Sequence, residues 1–460
     1  MFVEQSAERI RMVRTLFVLA GLIPCAVLAG TAVWRHSASH VEAVERDCEP
    51  LLGLPLEIGG LEHLRPGAMR LEGVELLSPA GETILSLPTV DIETSATEVR
   101  LSVGRLECTP RAAATLASLA GDWLSQPERF PKAVVVDVEE LAWRLGSGAN
   151  APSSGLRSSG LRVECVSSGG IRALRVRREP ETAEAVRVLS TVGAEQDEEP
   201  ESQQSAQARR RIELHCAIDE PLPAAIVAAL AGWPAEVGLA VGADAVIRGH
   251  VDAVLQDGRW SGELDGLMER IDLASCTSRA THRLTGEATV SVSRFRVEAS
   301  RLAACDLECS ASAGRVGQDF LDAAVRALGC RAGPAFRSLA YDPLRRFDGL
   351  GFSLRIDGDG MLLRAPGDRR TAATNAQALM QVQGITMLEE PLGTIPTDRL
   401  AWLFSPPGRA AVPASDESAW LISKLPLSGG NQGESRVANG EQPTRPLPPR
   451  AGQPGAARDF

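Results

Sequence analysis

Six histidines, nine cysteines and a few neighbouring carboxylates are the residues of this 460-residue chain that could do chemistry. Their spacing decides which chemistry. His36 and His40 stand four apart, so a helix would bring both to one face, but a metal centre needs further ligands that the neighbourhood lacks. The pair is expected on an interfacial polar face beside the apolar N-terminal run. His215-Cys216 is a lone dyad in a strand-like stretch and is expected in core packing. Cys305 and Cys309 would share a strand face, and a metal there would need two more ligands. Asp357 and Asp359 have the spacing of the first ligands of a calcium loop. The series stops after two and its flanks are strand-like, so Asp357-Gly358-Asp359-Gly360 reads as a hairpin turn. The chain has no GxSxG, HExxH, phosphate-binding loop, CxxC pair or GxGxxG leading into a helix. The sequence therefore predicts no catalytic residue, no cofactor and no metal.

Composition narrows the function classes further. Formal net charge is −11, from 48 Lys and Arg against 59 Asp and Glu. Such a chain lacks the cationic surface that displaces phosphate counterions, so no nucleic-acid partner is expected. Aromatics are scarce, with a single tyrosine at Tyr341, so a core must be built from Val, Leu, Ile and Ala. Trp123, Trp143, Trp233, Trp260 and Trp402 are spread over the chain, which fits core or edge packing and not a base-stacking platform, which would need basic neighbours. Beyond Cys25, the cysteines Cys48, Cys108, Cys165, Cys216, Cys276, Cys305, Cys309 and Cys330 have long, irregular spacings. Most are expected as small buried hydrophobes, with disulfide pairing left open.

The elements that would position these residues begin with an apolar run. Leu16 to Trp34 is 19 residues without a charge, enough for a helix to cross the hydrocarbon layer. Leu16, Phe17, Leu19, Leu22, Ile23, Val27, Leu28, Val33 and Trp34 are its anchor residues. Pro24 is tolerated in a membrane span, and Trp34 suits the interface. Arg9, Arg11 and Arg14 precede the run, which favours a cytoplasmic N-terminus. The alternative is a signal peptide cut near Ala29 or Ala32, but the run exceeds the ~7–15 residues of a signal core. Either reading exports the rest of the chain.

Organisation follows from there. Residues 1–14 are read as a cytoplasmic end and 15–35 as a transmembrane helix. Residues 36–192 form a first β-rich region and 193–208 an acidic loop of disordered composition, Asp197 to Glu201 included. Residues 209–404 form a second β-rich region, and 405–460 a largely disordered Pro- and Gly-rich tail. Apolar residues alternate from Leu54 onward, with a shift at Gly73 that reads as a bulge. Separate strands are expected at 84–87 and 90–92. Helices are expected at 36–52, 111–125, 223–231 and 315–329. Short turn spacing favours antiparallel connections over βαβ units. The expected fold class is mainly β: one transmembrane helix followed by an elongated, curved antiparallel sheet or groove.

Residues 15–110 resemble the N-terminal part of the AsmA-like family, envelope proteins related to TamB and to the repeating β-groove lipid-transfer proteins. The resemblance rests on a membrane helix, then a short helix ending in Leu52-Gly53-Leu54-Pro55, then a β-meander. Its motif positions are Gly53, Pro55, Pro66, Gly67, Leu71, Gly73, Val74, Leu76, Pro79 and Gly81. It implies an inner-membrane anchor, a periplasmic body and an apolar groove that holds membrane lipid or supports outer-membrane assembly. With fewer than 460 residues to fold, the chain is short for bridging two membranes. Two alternatives stand beside this reading: a tethered periplasmic scaffold with a closed sheet that binds other envelope proteins, and an exported enzyme of unrecognised type, which would need a polar cleft.

Overall fold

The computed structural model describes residues 7–35, 37–126, 132–145, 153–168, 171–178, 184–192, 210–232, 240–278, 282–337, 343–366, 377–400, 423, 425 and 426. Residues 1–428 form one compact unit. The acidic loop, His36, Trp233, Tyr341, Trp402 and most of the expected tail lie outside the described residues.

Helix α1 (Ala7–Arg35) carries the apolar run, and Arg11–Arg35 is long and apolar enough to cross a membrane. At 1.5 Å per residue these 25 residues span roughly 38 Å, against a hydrocarbon core of about 30 Å. Every anchor residue from Leu16 to Trp34 named above is exposed on it. The chain breaks at Ser37, in extended conformation, and resumes as α2 (Ala38–Leu52). Gly53 ends α2 in the left-handed conformation at φ 70°, its N–H bonding back to Glu49 O at 2.7 Å. Glycine takes that conformation without the clash a Cβ would make, so Leu-Gly-x-Pro works as a helix stop followed by an extended entry to the sheet.

The sheet then proceeds almost strictly in chain order. Strands β1 (Leu56–Arg65), β2 (Ala68–Leu77), β3 (Thr83–Thr94) and β4 (Glu98–Cys108) form an antiparallel meander. Helix α3 (Pro110–Ser125) follows and leads to β5 (Ala133–Arg144), which pairs parallel to β4. Antiparallel pairing resumes through β6 (Ser153–Ser168), β7 (Ile171–Arg178), β8 (Glu184–Val192) and β9 (Arg210–Pro223). After α4 (Ala224–Leu230) come β10 (Val246–Gln256) and β11 (Arg259–Asp272), then the short helical turn α5 (Leu273–Cys276) and β12 (Leu284–Thr285). Strands β13 (Glu287–Glu298) and β14 (Arg301–Ala311) extend the main sheet. Strand β15 (Gly314–Gly317), helix α6 (Gln318–Leu328), β16 (Arg331–Ala332) and β17 (Leu344–Phe347) follow. Strand β18 (Gly349–Asp357) pairs with β14 on one side, and with β19 (Gly360–Arg364) and β20 (Ala378–Val382) on the other. Strand β21 (Ile385–Glu389) joins β20 and β16, while β12, β15 and β17 form a small separate sheet.

The fold is mainly β, as expected, and one sheet runs through both expected β-rich regions. Two expectations are corrected. The sheet is mixed: α3 is a true crossover, because its length carries the chain back to the starting end of β4 and so makes β5 parallel. Residues 84–87 and 90–92 belong to one strand, β3, interrupted only by Pro88, which donates no ladder hydrogen bond.

A crease crosses the first six strands. At Gly59, Gly73, Pro88, Gly104, Glu139 and Gly160 the β1–β2, β2–β3, β4–β5 and β5–β6 ladders each skip one residue on both strands, and the β3–β4 ladder ends at the same level. Apolar residues change parity there: Leu71 is buried on one side of Gly73, and Val74 and Leu76 on the other. Gly73 (φ 59°) and Gly160 (φ 67°) take left-handed backbone, which lets the strand turn while its apolar side chains stay on one face. The shift of apolar parity expected at Gly73 is one point on this line, but the expected bulge is corrected: both partner strands skip a residue there and the register is kept.

Candidate functional site

Strand register places side chains of alternate residues on opposite faces. On one face a single row can be followed by direct cross-strand partners. It starts at His63 of β1 and passes Met69, Ile92, Leu101, Val136, Val163, Val176 and Val186. It continues through Cys216, Val251, Leu264, Phe295, Cys305 and Ile356 to Met361 of β19. After His63 every position is apolar or cysteine. The adjoining row on the opposite face is polar: Glu62, Arg70, Asp91, Ser102, Asp137, Arg162 and Arg177. Arg70 Nε sits 2.7 Å from Asp91 Oδ1, and the guanidinium lowers the pKa of that carboxyl through their hydrogen bond.

Helices cover the apolar face at both ends. Over β1–β7, α3 presents Ala112, Ala113, Trp123 and Leu124, and α4 adds Ile226 and Ala229. Thr109 starts α3 by accepting the Ala112 N–H at 3.1 Å, with Pro110 at the first position. Val41, Val44 and Leu52 of α2 pack onto the same cluster. Over β14–β19, α6 buries Leu321, Ala324 and Leu328 against Cys305, Cys309, Ile356 and Met361.

Between these covered ends no helix among the described residues packs on the face. Ile212, Leu214, Cys216, Val251, Ala253, Leu255, Trp260, Leu264 and Val297 belong to none of the core clusters of the described residues. Trp260 is 40% exposed and Leu264 37%. Gly249 and Gly266 face each other here because the backbones approach too closely for a side chain: a Cβ on Gly249 would meet Asp265 O at 2.2 Å. None of these nine residues is charged, so what they can do chemically is bury hydrocarbon.

The residues singled out for chemistry are dispersed. His215 is corrected from its expected core position: register puts it on the polar face, half-exposed, 2.5 Å from Asp252, while Cys216 takes the apolar face. His250 lies on the polar side between Asp265 at 3.2 Å and Asp219 at 3.9 Å, in a depression that Ser291 and Ser293 also line, with no hydrogen bond to either serine among the described residues. Cys305 and Cys309 do share a face, buried in the core. Asp357 and Asp359 form the β18–β19 turn, Asp357 accepting the Asp359 N–H at 3.0 Å. Among the described residues no group of three or more His, Cys, Asp or Glu could hold a metal. His40 pairs with His63, their Nε2 atoms 3.0 Å apart. All nine cysteines are free thiols, and burial pushes Cys108, Cys165 and Cys330 up to about 12.

Among the motif positions, Leu71, Val74 and Leu76 are core, and Pro66-Gly67 and Pro79 to Gly81 form the turns flanking β2. Gly67 has φ 80°, and a Cβ there would lie 2.9 Å from Thr94 O. Pro55 O accepts the Leu77 N–H at 2.9 Å, closing the entry to β1. Sequence reasoning missed the open stretch, since alternation reveals a strand's apolar face but not whether a helix covers it. Comparison with protein-family models, curated proteins and solved structures returns no match.

Proposed function

We propose that this chain is a non-catalytic, single-pass envelope protein of AsmA-like type that holds acyl chains of membrane lipid on its open apolar face. In this reading α1 anchors the chain in the inner membrane with the N-terminus cytoplasmic. The sheet stands in the periplasm, where the protein guides lipid or supports outer-membrane assembly. The observation that carries the reading is the uncovered stretch of the apolar row around Leu264, in a chain that also bears a membrane-length helix. Strands β8, β9, β10, β11 and β13 span four spacings of ~4.8 Å, or about 19 Å. One leaflet of a ~30 Å hydrocarbon core is about 15 Å deep, so the opening matches the length of a single acyl chain. Each methylene buried there contributes about 0.8 kcal/mol.

The test is to extract the full-length protein without detergent and identify bound lipid by mass spectrometry. The expected outcome is glycerolipid that remains with the wild type and is lost from Leu264→Glu, a change at an exposed position that leaves the fold intact. Equal lipid on both would locate it at α1 alone and defeat the groove reading. Crosslinking that recovered defined proteins and no lipid would favour the scaffold.

A further inference from the structure

The apolar row has a polar head at its membrane end. Leu28, Thr31, Ala32 and Arg35 lie three and four apart on one face of α1, and with His63 of β1 they border a shallow depression. His63 is the first member of the row, directly opposite Met69. His40 holds it in place through the 3.0 Å contact between ring nitrogens, and Trp34 packs on His40 with ring centres 4.3 Å apart. His40 is 9% exposed, and its Nδ1 is buried without a hydrogen-bond partner among the described residues. Arg35 is exposed and forms no ion pair among the described residues.

Depth in the bilayer gives this arrangement a meaning. Trp34 and Arg35 end the apolar run, at the level where indoles and arginines meet head groups. At 1.5 Å per residue, Thr31 lies about 6 Å and Leu28 about 10 Å deeper, among acyl chains. A lipid packed against Leu28 and Ala32 therefore presents its phosphate to Arg35. The guanidinium fork matches a phosphodiester, to which it can donate two parallel hydrogen bonds.

We propose that this depression is a loading site for a glycerophospholipid. Arg35 binds the phosphate, Leu28 and Ala32 pack the upper part of a chain, and His63 forms the wall from which the apolar row begins. The site rests on the lipid reading only for where its cargo goes next.

The experiment uses the full-length protein in bilayer discs containing a trace of phosphatidylglycerol with a photoreactive group near the glycerol. A parallel set carries photoreactive diacylglycerol, which has the same chains and no phosphate. The phospholipid is expected to label both residues 28–35 and β1, about tenfold more than diacylglycerol does, the factor of one charge-assisted hydrogen bond. Arg35→Gln should abolish the preference and Arg35→Lys restore part of it, with circular dichroism unchanged. Labelling indifferent to the phosphate or to Arg35→Gln overturns the site. So does labelling confined to α1, which would mark ordinary boundary lipid. Equal lipid on wild type and Leu264→Glu, with this labelling intact, would defeat the groove reading and leave the loading site standing.

Discussion

Arg172 brings a cation to the buried side of the sheet, at 6% exposure. Its guanidinium lies 4.8 Å over the Trp123 ring and donates to the Trp123 carbonyl at the end of α3. It thus satisfies a carbonyl that the last turn of a helix leaves open, and pins α3 to β7. Arg172→Ala should cost about 3 kcal/mol, and Arg172→Met less because it keeps the volume; urea unfolding midpoints report both. The buried thiols give a second prediction. Desolvation raises Cys108, Cys165 and Cys330 to about 12 in the fold, against 9.0 for a free thiol. The folded state therefore favours the protonated form. Their stabilising contribution is complete below pH 9.0 and is lost as pH rises toward 12. Urea midpoints should be flat up to that pH and fall above it, and at pH 8 iodoacetamide should modify these three only after unfolding. Rapid modification of the native protein would contradict their burial.

The crease acts at the scale of strands. Gly73 and Gly160 hold left-handed backbone, so a β-branched residue at either is expected to cost about 1–2 kcal/mol. Gly121 of α3 is the contrast: a Cβ there meets nothing within 4 Å, and Gly121→Ala should stabilise by about 0.5–1 kcal/mol. Thermal unfolding of Gly73→Val, Gly160→Val and Gly121→Ala checks the two signs together. The crease also marks how far this fold was legible. The parity shift at Gly73 is visible because Met69, Leu71, Val74 and Leu76 flank a glycine. It is invisible at Glu139, where nothing local distinguishes a skipped residue from a polar position in a strand. Helix and strand positions followed from apolar spacing, as at 110–125 and in the 357–360 turn. Pairing direction did not follow, because a helix between two strands is compatible with a parallel neighbour or a separate layer. His215 was misplaced for a similar reason: its dyad with Cys216 spans both faces of one strand, and only register shows which residue meets Asp252.

At the scale of the molecule, one row of apolar partners connects the membrane-length helix to the far end of the sheet. Among the described residues only part of that row lies outside the covered cores. Helices α3 and α4 seal the first strands and α6 the last, so hydrocarbon can reach the row's middle, at Cys216, Val251 and Leu264, without displacing a helix. A through-channel would need the covering helices to lift from cores that include Trp123, Leu321 and Ile226. Burial of such side chains is worth roughly 1.5–3 kcal/mol each, so lifting a helix outweighs the gain from a few added methylenes of lipid. Under the proposed function, lipid would therefore be held in a bounded cradle. Cys216 reports on that cradle directly, since its side chain lies in the open row and burial already raises its thiol to about 11. An apolar maleimide should modify Cys216 slowly in delipidated protein and several-fold more slowly once phospholipid is returned, by simple occlusion of the thiol. Cys108, under α3, should show no lipid dependence. If lipid protected both equally, the chain would be reaching beneath the covering helices, and the cradle would have to be redrawn as a conduit.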